Sequence, residues 1–500
     1  MKIAIQGCCH GELDKIYQHI QILEKKHNYK VPLLLIGGDF QAIRNHNDLQ
    51  CMAVPAKYRA LGGFHKYYTG EKIAPVLTIV IGGNHEASNY FWELYHGGWL
   101  APNIYYLGAA GCINVNGLRI AGASGIYNRA HHHLGYYERI PYDNSSMRSI
   151  YHVRDYATFK LSQLARSPNP VDIFMSHDWP TGIAHYGDLE GLLKKKPFFR
   201  ADIEKGELGS PPMMDLLKEL KPNWWFSAHM HVKFEAVVRH DGSAPQNFVT
   251  QKPASQNPDE IMIDDDFDEE PPTKAIPEAT PASNPDEIQM EDEEDEVEAQ
   301  LVLDDPQTSR KASETRFLAL DKCLQHRSFL EVLDIGDPRD DGQSVDLMYD
   351  SEWLAISRAL HPYLSISRSQ LPLPGHLEVA SKISEALSWV QDNVGSSKRI
   401  LDVQQFIPTA PGPGKENRPR HLQPPWYTNP QTEAFCDMLG IPNKINPPPP
   451  GTQTEKETNP APEAASSTVP PGDTPLTENA VPVSPVPEIV KDDAATSMSA

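Results

Sequence analysis

The chain has 500 residues, 39% of them hydrophobic, which is enough for a large core and two to four domains; no run approaches the roughly 18 apolar residues of a membrane span. The formal net charge of -22 is unevenly spread: residues 1–257 hold 27 Lys and Arg against 22 Asp and Glu, a net of +5, whereas 258–306 hold 20 acids and one Lys, a net of -19. The acidity therefore does not exclude a polyanionic ligand for the N-terminal part, and six cysteines without disulfide-like spacing point to a reducing compartment, nucleus or cytosol. Met1 leads straight into the first predicted strand, KIAIQ, so the N-terminus does not read as a signal peptide. Leu13, Ile16, Tyr17, Ile20 and Leu23 then recur at helical spacing and predict a helix. VPLLLIGG, PVLTIVIGG, LRIAGAS, VDIFMSH and WWFSAH predict further strands. Residues 145–164 predict a second helix, with Ile150, Val153, Ala157, Leu161 and Leu164 roughly in register, and 211–220 a third, with Pro212 near its start. Strands separated by helices indicate an α/β fold over a first region, residues 1–250.

Beyond it the composition shifts. VKFEAVV and TRFLALDKC both read as strands, and the acidic, Pro-rich segment between them, 251–314, cannot bury enough apolar surface to order itself. It is expected to be a disordered insertion hung on a hairpin, with NPDEI repeated inside it. Residues 315–442 regain apolar and aromatic content and predict a smaller, second ordered region, with a helical pattern near 375–393 and an extended link at TAPGPGKENRPR. Residues 443–500 form a Pro-rich tail expected to be disordered.

Ligand-type residues gather at the strand ends. Cys8 and His10 follow the first strand, Asp39 follows LLLIGG, Asn84 and His85 follow VLTIVIGG, His177 follows DIFMS, and His229 and His231 follow WWFSA. In open α/β sheets, sites form beyond the carboxyl ends of strands, where glycines let the backbone turn. Each turn alone is a weak signal; five in order are not packing. AHMH places two imidazoles on one side of an extended segment. The set of imidazoles, one carboxylate, one amide oxygen and one thiol suits Zn²⁺, Fe²⁺ or Mn²⁺ better than Ca²⁺ or Mg²⁺. Seven ligands are too many for one tetrahedral ion. Two ions sharing Asp39, about 3.5–4 Å apart, would use them all. The run His131, His132 and His133, and His96, His152 and His185, show no ligand pattern.

The order C-x-H, GGD, GGNHE, SH, AHMH resembles the calcineurin-like metallophosphoesterases, with Cys8 at the usual first Asp and Ala228 at the usual Gly. GCCHGELDKIY, GGDFQAIRN, IGGNHEASN, NSSMRSIYHVR, SHDWP and LKPNWWFSAHMHVKF resemble the lariat-debranching family of that group, and TRFLALDKC resembles the start of its C-terminal region. The resemblance implies a two-sheet α/β/β/α sandwich with a smaller C-terminal α+β region. It implies that Cys8, His10, Asp39 and His231 hold one divalent ion, and that Asp39, Asn84, His177 and His229 hold the other. The ion pair would be Fe²⁺/Zn²⁺ or Mn²⁺. His85 is left as general acid, a metal-bound hydroxide as nucleophile, and Glu86 and Asp178 either orient imidazoles or serve as plain surface or capping groups. The implied substrate is the 2′,5′-phosphodiester of branched, lariat RNA. A nuclear and cytoplasmic monomer is implied, with splicing-related protein partners through the C-terminal region and no membrane. Residues 124–154 read by themselves as an ordinary long loop. The resemblance makes them the expected RNA contact, through Ser124, Tyr127, Arg129, Tyr136, Tyr137, Arg148, Tyr151 and Arg154. Lys194, Lys195, Lys196 and Arg200, around Phe198 and Phe199, could add phosphate contacts, although a solvated helix end is the plainer account. Rival readings are another phosphoesterase, against which Cys8 and the aromatic loop argue, and a non-catalytic scaffold, against which the complete ligand set argues.

Overall fold

The computed structural model describes residues 1–241, 312–336 and 345–448. Almost all of the acidic insertion, with its NPDEI repeat, and of the Pro-rich tail lies outside these residues. The predicted N-terminal strands are present as β1 (Lys2–Gln6), β2 (Leu33–Ile36) and β3 (Leu77–Val80). Three that the sequence did not announce follow: β4 (Gly98–Ala101), β5 (Ile104–Tyr106) and β6 (Ala110–Val115). Then come β7 (Leu118–Ala123), β8 (Ile173–Ser176), β9 (Trp224–Ser227), β10 (Phe234–Arg239), β11 (Glu314–Ala319), β12 (Leu330–Asp334) and β13 (Leu347–Tyr349). They make one six-stranded sheet in the order β12-β1-β2-β3-β5-β4 and one seven-stranded sheet in the order β10-β11-β9-β8-β7-β6-β13.

Side-chain alternation explains why the sheets stack. Ile3, Ile5, Leu33, Leu35, Leu77 and Ile79 of the first sheet share one core with Ile120, Ile173, Met175, Phe226 and Leu318 of the second. The alternate residues, Ala4, Leu34, Ile36 and Val80, pack outward on Leu13, Ile16, Tyr17 and Ile20 of the helix Leu13–His27. On the far side Ala121, Phe174, Trp225 and Phe317 meet Leu161, Met213 and Leu217 of the outer helices. Both faces of each central strand are covered, which is why these strands read as unbroken apolar runs. The result is the expected four-layered α/β/β/α class. No helix among the described residues is long and apolar enough to cross a membrane.

The smaller C-terminal region packs into the same compact unit as the first, Met1–Pro448. β11 lies between β9, to which it is parallel, and β10, to which it is antiparallel. β12 adds to β1, and β13 adds to β6. The segment thus completes both sheets, and its helices Ser351–Leu360 and His376–Asn393 pack on each other. The TAPGPGKENRPR link is a strap across the loop that follows β2: Asn45 Nδ2 donates to Pro411 O at 2.8 Å, Asn47 Nδ2 donates to Pro419 O at 2.8 Å, and His46 Nδ1 lies 2.7 Å from Glu416 Oε1. One expectation needs correction: 145–164 is not one helix. A short turn of helix, Asn144–Met147, gives way to an extended stretch where His152 bridges Ile126 and Val153 N donates to Ile126 O at 2.9 Å; the helix Asp155–Ser162 follows.

Candidate metal centre

The turns after β1, β2, β3, β8 and β9 meet at the carboxyl ends of parallel strands. Hydrogen bonds lace the first two together: Cys9 N donates to Gly38 O at 3.3 Å, and His10 N to Asp39 O at 2.7 Å. Glycines are required where backbone presses on ligands. A methyl on Gly38, whose φ is +112°, would stand 2.3 Å from His177 Nδ1, and one on Gly83 would stand 2.1 Å from Asp39 Oδ1. Ala228, in place of the family's usual Gly, is accommodated because Gly37 opposite it has no side chain. Four ligand-type residues themselves take the left-handed region: His10 (φ 47°), Asp39 (47°), His229 (61°) and His231 (48°). Non-glycine residues there cost on the order of 1–3 kcal/mol each and concentrate at functional sites.

Asp39 stands between two groups of donors. Its Oδ2 is 3.7 Å from His10 Nε2, and its Oδ1 is 3.4 Å from His177 Nε2. On the first side the ligand atoms of Cys8, His10, Asp39 and His231 all lie within 4.8 Å of one another, with His10 Nε2 3.1 Å from His231 Nε2. On the second side His177 Nε2 is 3.2 Å from Asn84 Oδ1, and the His229 ring lies 5.0 Å from the His177 ring. The AHMH segment is therefore a left-handed bend, not the expected extended strand, and it sends its two imidazoles to opposite halves.

The electrostatics suit cations. Burial pulls His10 down to about 4, His229 to about 3 and His231 to about 2, so their imidazoles are neutral with lone pairs available. Burial alone would raise the Asp39 carboxyl, but His177, His85 and His10 around it hold it well below the usual carboxylate range. Burial, reinforced by Asp39, pushes the Cys8 thiol up, so a thiolate there needs a positive partner. His177 Nδ1 is 2.7 Å from Gly37 O, which can only accept, so Nδ1 carries a proton and Nε2 faces two oxygen acceptors. Burial would lower His177, yet Asp39 raises it, because a proton at Nε2 can serve where a metal ion would. Donor types, distances and charge fit two divalent cations sharing Asp39.

His85 sits on the rim. Its backbone N–H donates to Asp39 Oδ1 at 3.0 Å, its ring is 5.4 Å from that of His10, and its ring nitrogens have no hydrogen-bond partner among the described residues. Glu86 and Asp178 do not orient imidazoles. The Glu86 carboxylate accepts from Phe40 N, Gln41 N and Gly83 N at 2.8, 2.7 and 2.9 Å and so staples two ligand turns together. Asp178 accepts from Tyr127 N at 3.1 Å and Trp179 N at 2.9 Å, tying the 124–154 loop to the turn after β8.

That loop separates into two kinds of residue. Tyr127, Arg129, Tyr137, Arg148 and Tyr151 keep exposed surface, and Tyr151 lies within electrostatic range of Asp39. Tyr136 and Arg154, expected to touch RNA, are buried. Tyr136 packs on Trp92 and Tyr95, and the Arg154 guanidinium donates to Glu138 Oε1 at 2.5 Å, His131 O at 2.8 Å and Ser149 O at 3.1 Å. Ser124 is also a structural tie, its Oγ accepting from Gly82 N and donating to Gly108 O. Arg154→Ala should accordingly unfold or loosen the whole loop, costing about 3–5 kcal/mol as Glu138 is left buried and unpaired. Thermal melting reads that loss, and a variant with unchanged melting would return Arg154 to the RNA surface.

Sequence reasoning missed the loop after β11. Leu320 N donates to Ser227 O at 3.3 Å, Cys323 N donates to Cys8 O at 3.1 Å, and Gly7 N donates to Phe329 O at 3.0 Å. The 320–329 segment thus clamps the first ligand turn. The signal was available: TRFLALDKC, like the other site strands, is an apolar run followed directly by polar residues.

Residues 1–233 match the calcineurin-like phosphoesterase family, and residues 312–444 match the C-terminal domain of the lariat debranching enzymes. The lariat debranching enzyme of Schizosaccharomyces pombe is 43% identical over 471 residues, covering 90% of this chain and 98% of its own. The lariat debranching enzymes of Gallus gallus and Homo sapiens are each 40% identical over 446 residues, covering 88% of this chain and 70% and 69% of their own. With both regions matched and the residues at the strand ends arranged for divalent metal, the chain belongs to the lariat debranching enzymes, phosphodiester hydrolases of the calcineurin-like phosphoesterase class.

Proposed function

We propose that the chain hydrolyses the 2′,5′-phosphodiester at the branch point of excised intron lariats, linearising them for turnover. The observation that carries this reading is the gathering of Cys8, His10, Asn84, His177, His229 and His231 on two sides of Asp39, with His85 at the rim. Cys8, His10, Asp39 and His231 would hold one divalent ion, and Asp39, Asn84, His177 and His229 would hold the other, as Fe²⁺/Zn²⁺ or Mn²⁺. When bound, the two ions supply an activated water and neutralise charge on the phosphate. His85 gives a proton to the departing 2′-oxygen, a task suited to an imidazole near neutral pH. Tyr127, Tyr137, Tyr151, Arg129 and Arg148 offer stacking faces and guanidinium groups to RNA. Nuclear residence, a monomeric state and splicing-related partners through the C-terminal segment belong to the same proposal.

The test is turnover of a synthetic 2′,5′-branched RNA beside a linear 3′,5′ RNA and a phosphopeptide. The expected products are linear RNA, a 5′-phosphate on the nucleotide formerly joined to the branch point and a free 2′-hydroxyl on the branch nucleotide. Turnover of the phosphopeptide alone would overturn the reading. Cys8→Asp should fold and keep two metal positions while its activity moves toward Mn²⁺, because carboxylates favour harder ions than thiolates do. Identical activity profiles with Zn²⁺, Fe²⁺ and Mn²⁺ before and after would remove Cys8 from the ligand set.

A further inference from the structure

The C-terminal segment buttresses the 124–154 loop. Leu134 bridges Ser369, Gly135 N donates to Arg368 O at 3.0 Å, and Tyr136 N donates to Ser365 O at 2.9 Å. Only glycine allows that approach, since a methyl on Gly135 would stand 2.2 Å from Ser367 O. Farther along, Tyr142 N donates to Gln423 Oε1 and Gln423 Nε2 donates to Tyr142 O, each at 2.7 Å. The backbone of Arg368 is therefore fixed against the loop, and its side chain turns onto the loop's surface. The guanidinium carbon lies 5.2 Å from the centre of the Tyr137 ring. Arg368 is exposed, and among the described residues no carboxylate pairs with its guanidinium and no oxygen accepts from it.

Tyr137 leads back toward the metal centre. Its hydroxyl is 3.4 Å from Ser149 Oγ, and two residues on, Tyr151 lines one cavity with Gly83 and Glu86 of the turn after β3. The face is basic: residues 124–154 hold four Arg against Glu138 and Asp143, and Glu138 is buried and bonded to Arg154. A guanidinium laid on an aromatic ring keeps its in-plane N–H groups open and already oriented, so it takes a phosphate with little further loss of side-chain freedom. We infer that Arg368, held over Tyr137, is a substrate-binding residue that grips a backbone phosphate on an RNA arm running from the metal centre along the 124–154 loop. The inference rests on the debranching reading and deepens it, because it gives the C-terminal segment a part in recognition besides completing both sheets. A single-stranded arm matches the pair: its phosphates meet the guanidinium edge, and a base stacks on the open guanidinium face.

The experiment compares wild type, Arg368→Ala and Arg368→Lys on two 2′,5′-branched RNAs, one with a single nucleotide on each arm and one with several, and on bis(p-nitrophenyl) phosphate. Rates are taken over a range of salt, with melting temperature and metal content measured on each protein. Arg368→Ala keeps the backbone bond to Gly135, so melting and metal content should hold. It should lower kcat/KM on the long-armed RNA about tenfold, mostly through KM, and make the logarithmic salt dependence shallower by about 0.7, the share of one single-strand phosphate contact. The short-armed RNA and the small diester, which do not extend to Arg368, should lose far less. Arg368→Lys keeps the charge without the planar fork, so it should restore the salt slope and only part of the rate. A merely structural role would leave the salt slope alone. Long-armed turnover that Arg368→Ala does not alter, or equal losses on all three substrates with an unchanged slope, would overturn the inference alone. Wild-type protein that hydrolyses the small diester but neither branched RNA would overturn the debranching reading, and this inference with it.

Discussion

Asp39→Ala is expected to empty both metal positions and abolish turnover, whereas His85→Ala is expected to abolish turnover with the metal retained. The contrast follows from where the two side chains stand. Asp39 offers Oδ2 to the His10 side and Oδ1 to the His177 side, 3.7 and 3.4 Å from the respective Nε2 atoms. Removing it takes the only carboxylate from either donor set and leaves four imidazoles and a thiol facing two cations without a compensating charge. Loss of a group shared by the whole catalytic unit costs about four orders of magnitude or more in rate. His85 reaches Asp39 through its backbone N–H, which the substitution keeps, while its ring lies outside the two donor sets. Losing a proton donor costs about 10²–10⁴-fold. Elemental analysis of both variants beside their branched-RNA rates decides the matter. Two ions in Asp39→Ala would refute the bridge, and a metal-free His85→Ala would make that residue a ligand.

The ligand turns were legible in the sequence because each is local: an apolar run, a glycine or small residue, then a donor. Which donor joins which half was not. His229 and His231 are two residues apart and would share a side in a strand, but left-handed backbone at both turns one toward His177 and the other toward His10. No pattern in AHMH announces that bend. The RNA loop failed for a different reason. Tyr and Arg serve equally as base-stacking groups and as buried structural partners, and only the three-dimensional position of Glu138, 16 residues from Arg154, distinguishes the two roles. β11–β13 were recognisable as apolar, yet their partners lie far away in sequence. Met1 N donates to Ile335 O across 334 residues, and a pairing of that span leaves no local signature.

That long-range pairing carries the second large prediction, a contrast between two deletions. A chain ended at Asp241 should not form the metal centre, even though it keeps every proposed ligand. It loses β11 from between β9 and β10 and β12 from beside β1, and with them the 320–329 clamp on Gly7 and Cys8. Phe317, Leu318 and Leu320 alone, each almost fully buried, contribute roughly 5–9 kcal/mol of apolar burial at about 1.5–3 kcal/mol apiece, comparable with the whole stability of a typical protein. The exposed strand edges would then favour aggregation. Deleting 258–306 should do the opposite. The hairpin that receives the segment is closed by His240 N donating to Ser313 O at 3.0 Å, and β10 and β11 run from the site end, where Phe234 pairs Ala319, to Arg239 and Glu314, roughly 17 Å farther on at 3.3 Å per residue. Shortening the connection from 70 residues (242–311) to 21 lowers the cost of closing it by about 1 kcal/mol. The deletion also removes a net charge of -19, so branched RNA should bind more tightly at low salt, with the gain fading as screening shortens electrostatic reach to about 10 Å at 0.1 M. Soluble yield, thermal melting, metal content and branched-RNA turnover on the two proteins read the contrast. A cooperatively folded, metal-loaded 1–241 would show that the C-terminal strands are dispensable, and an inactive 258–306 deletion with full metal content would give the acidic segment a part in catalysis.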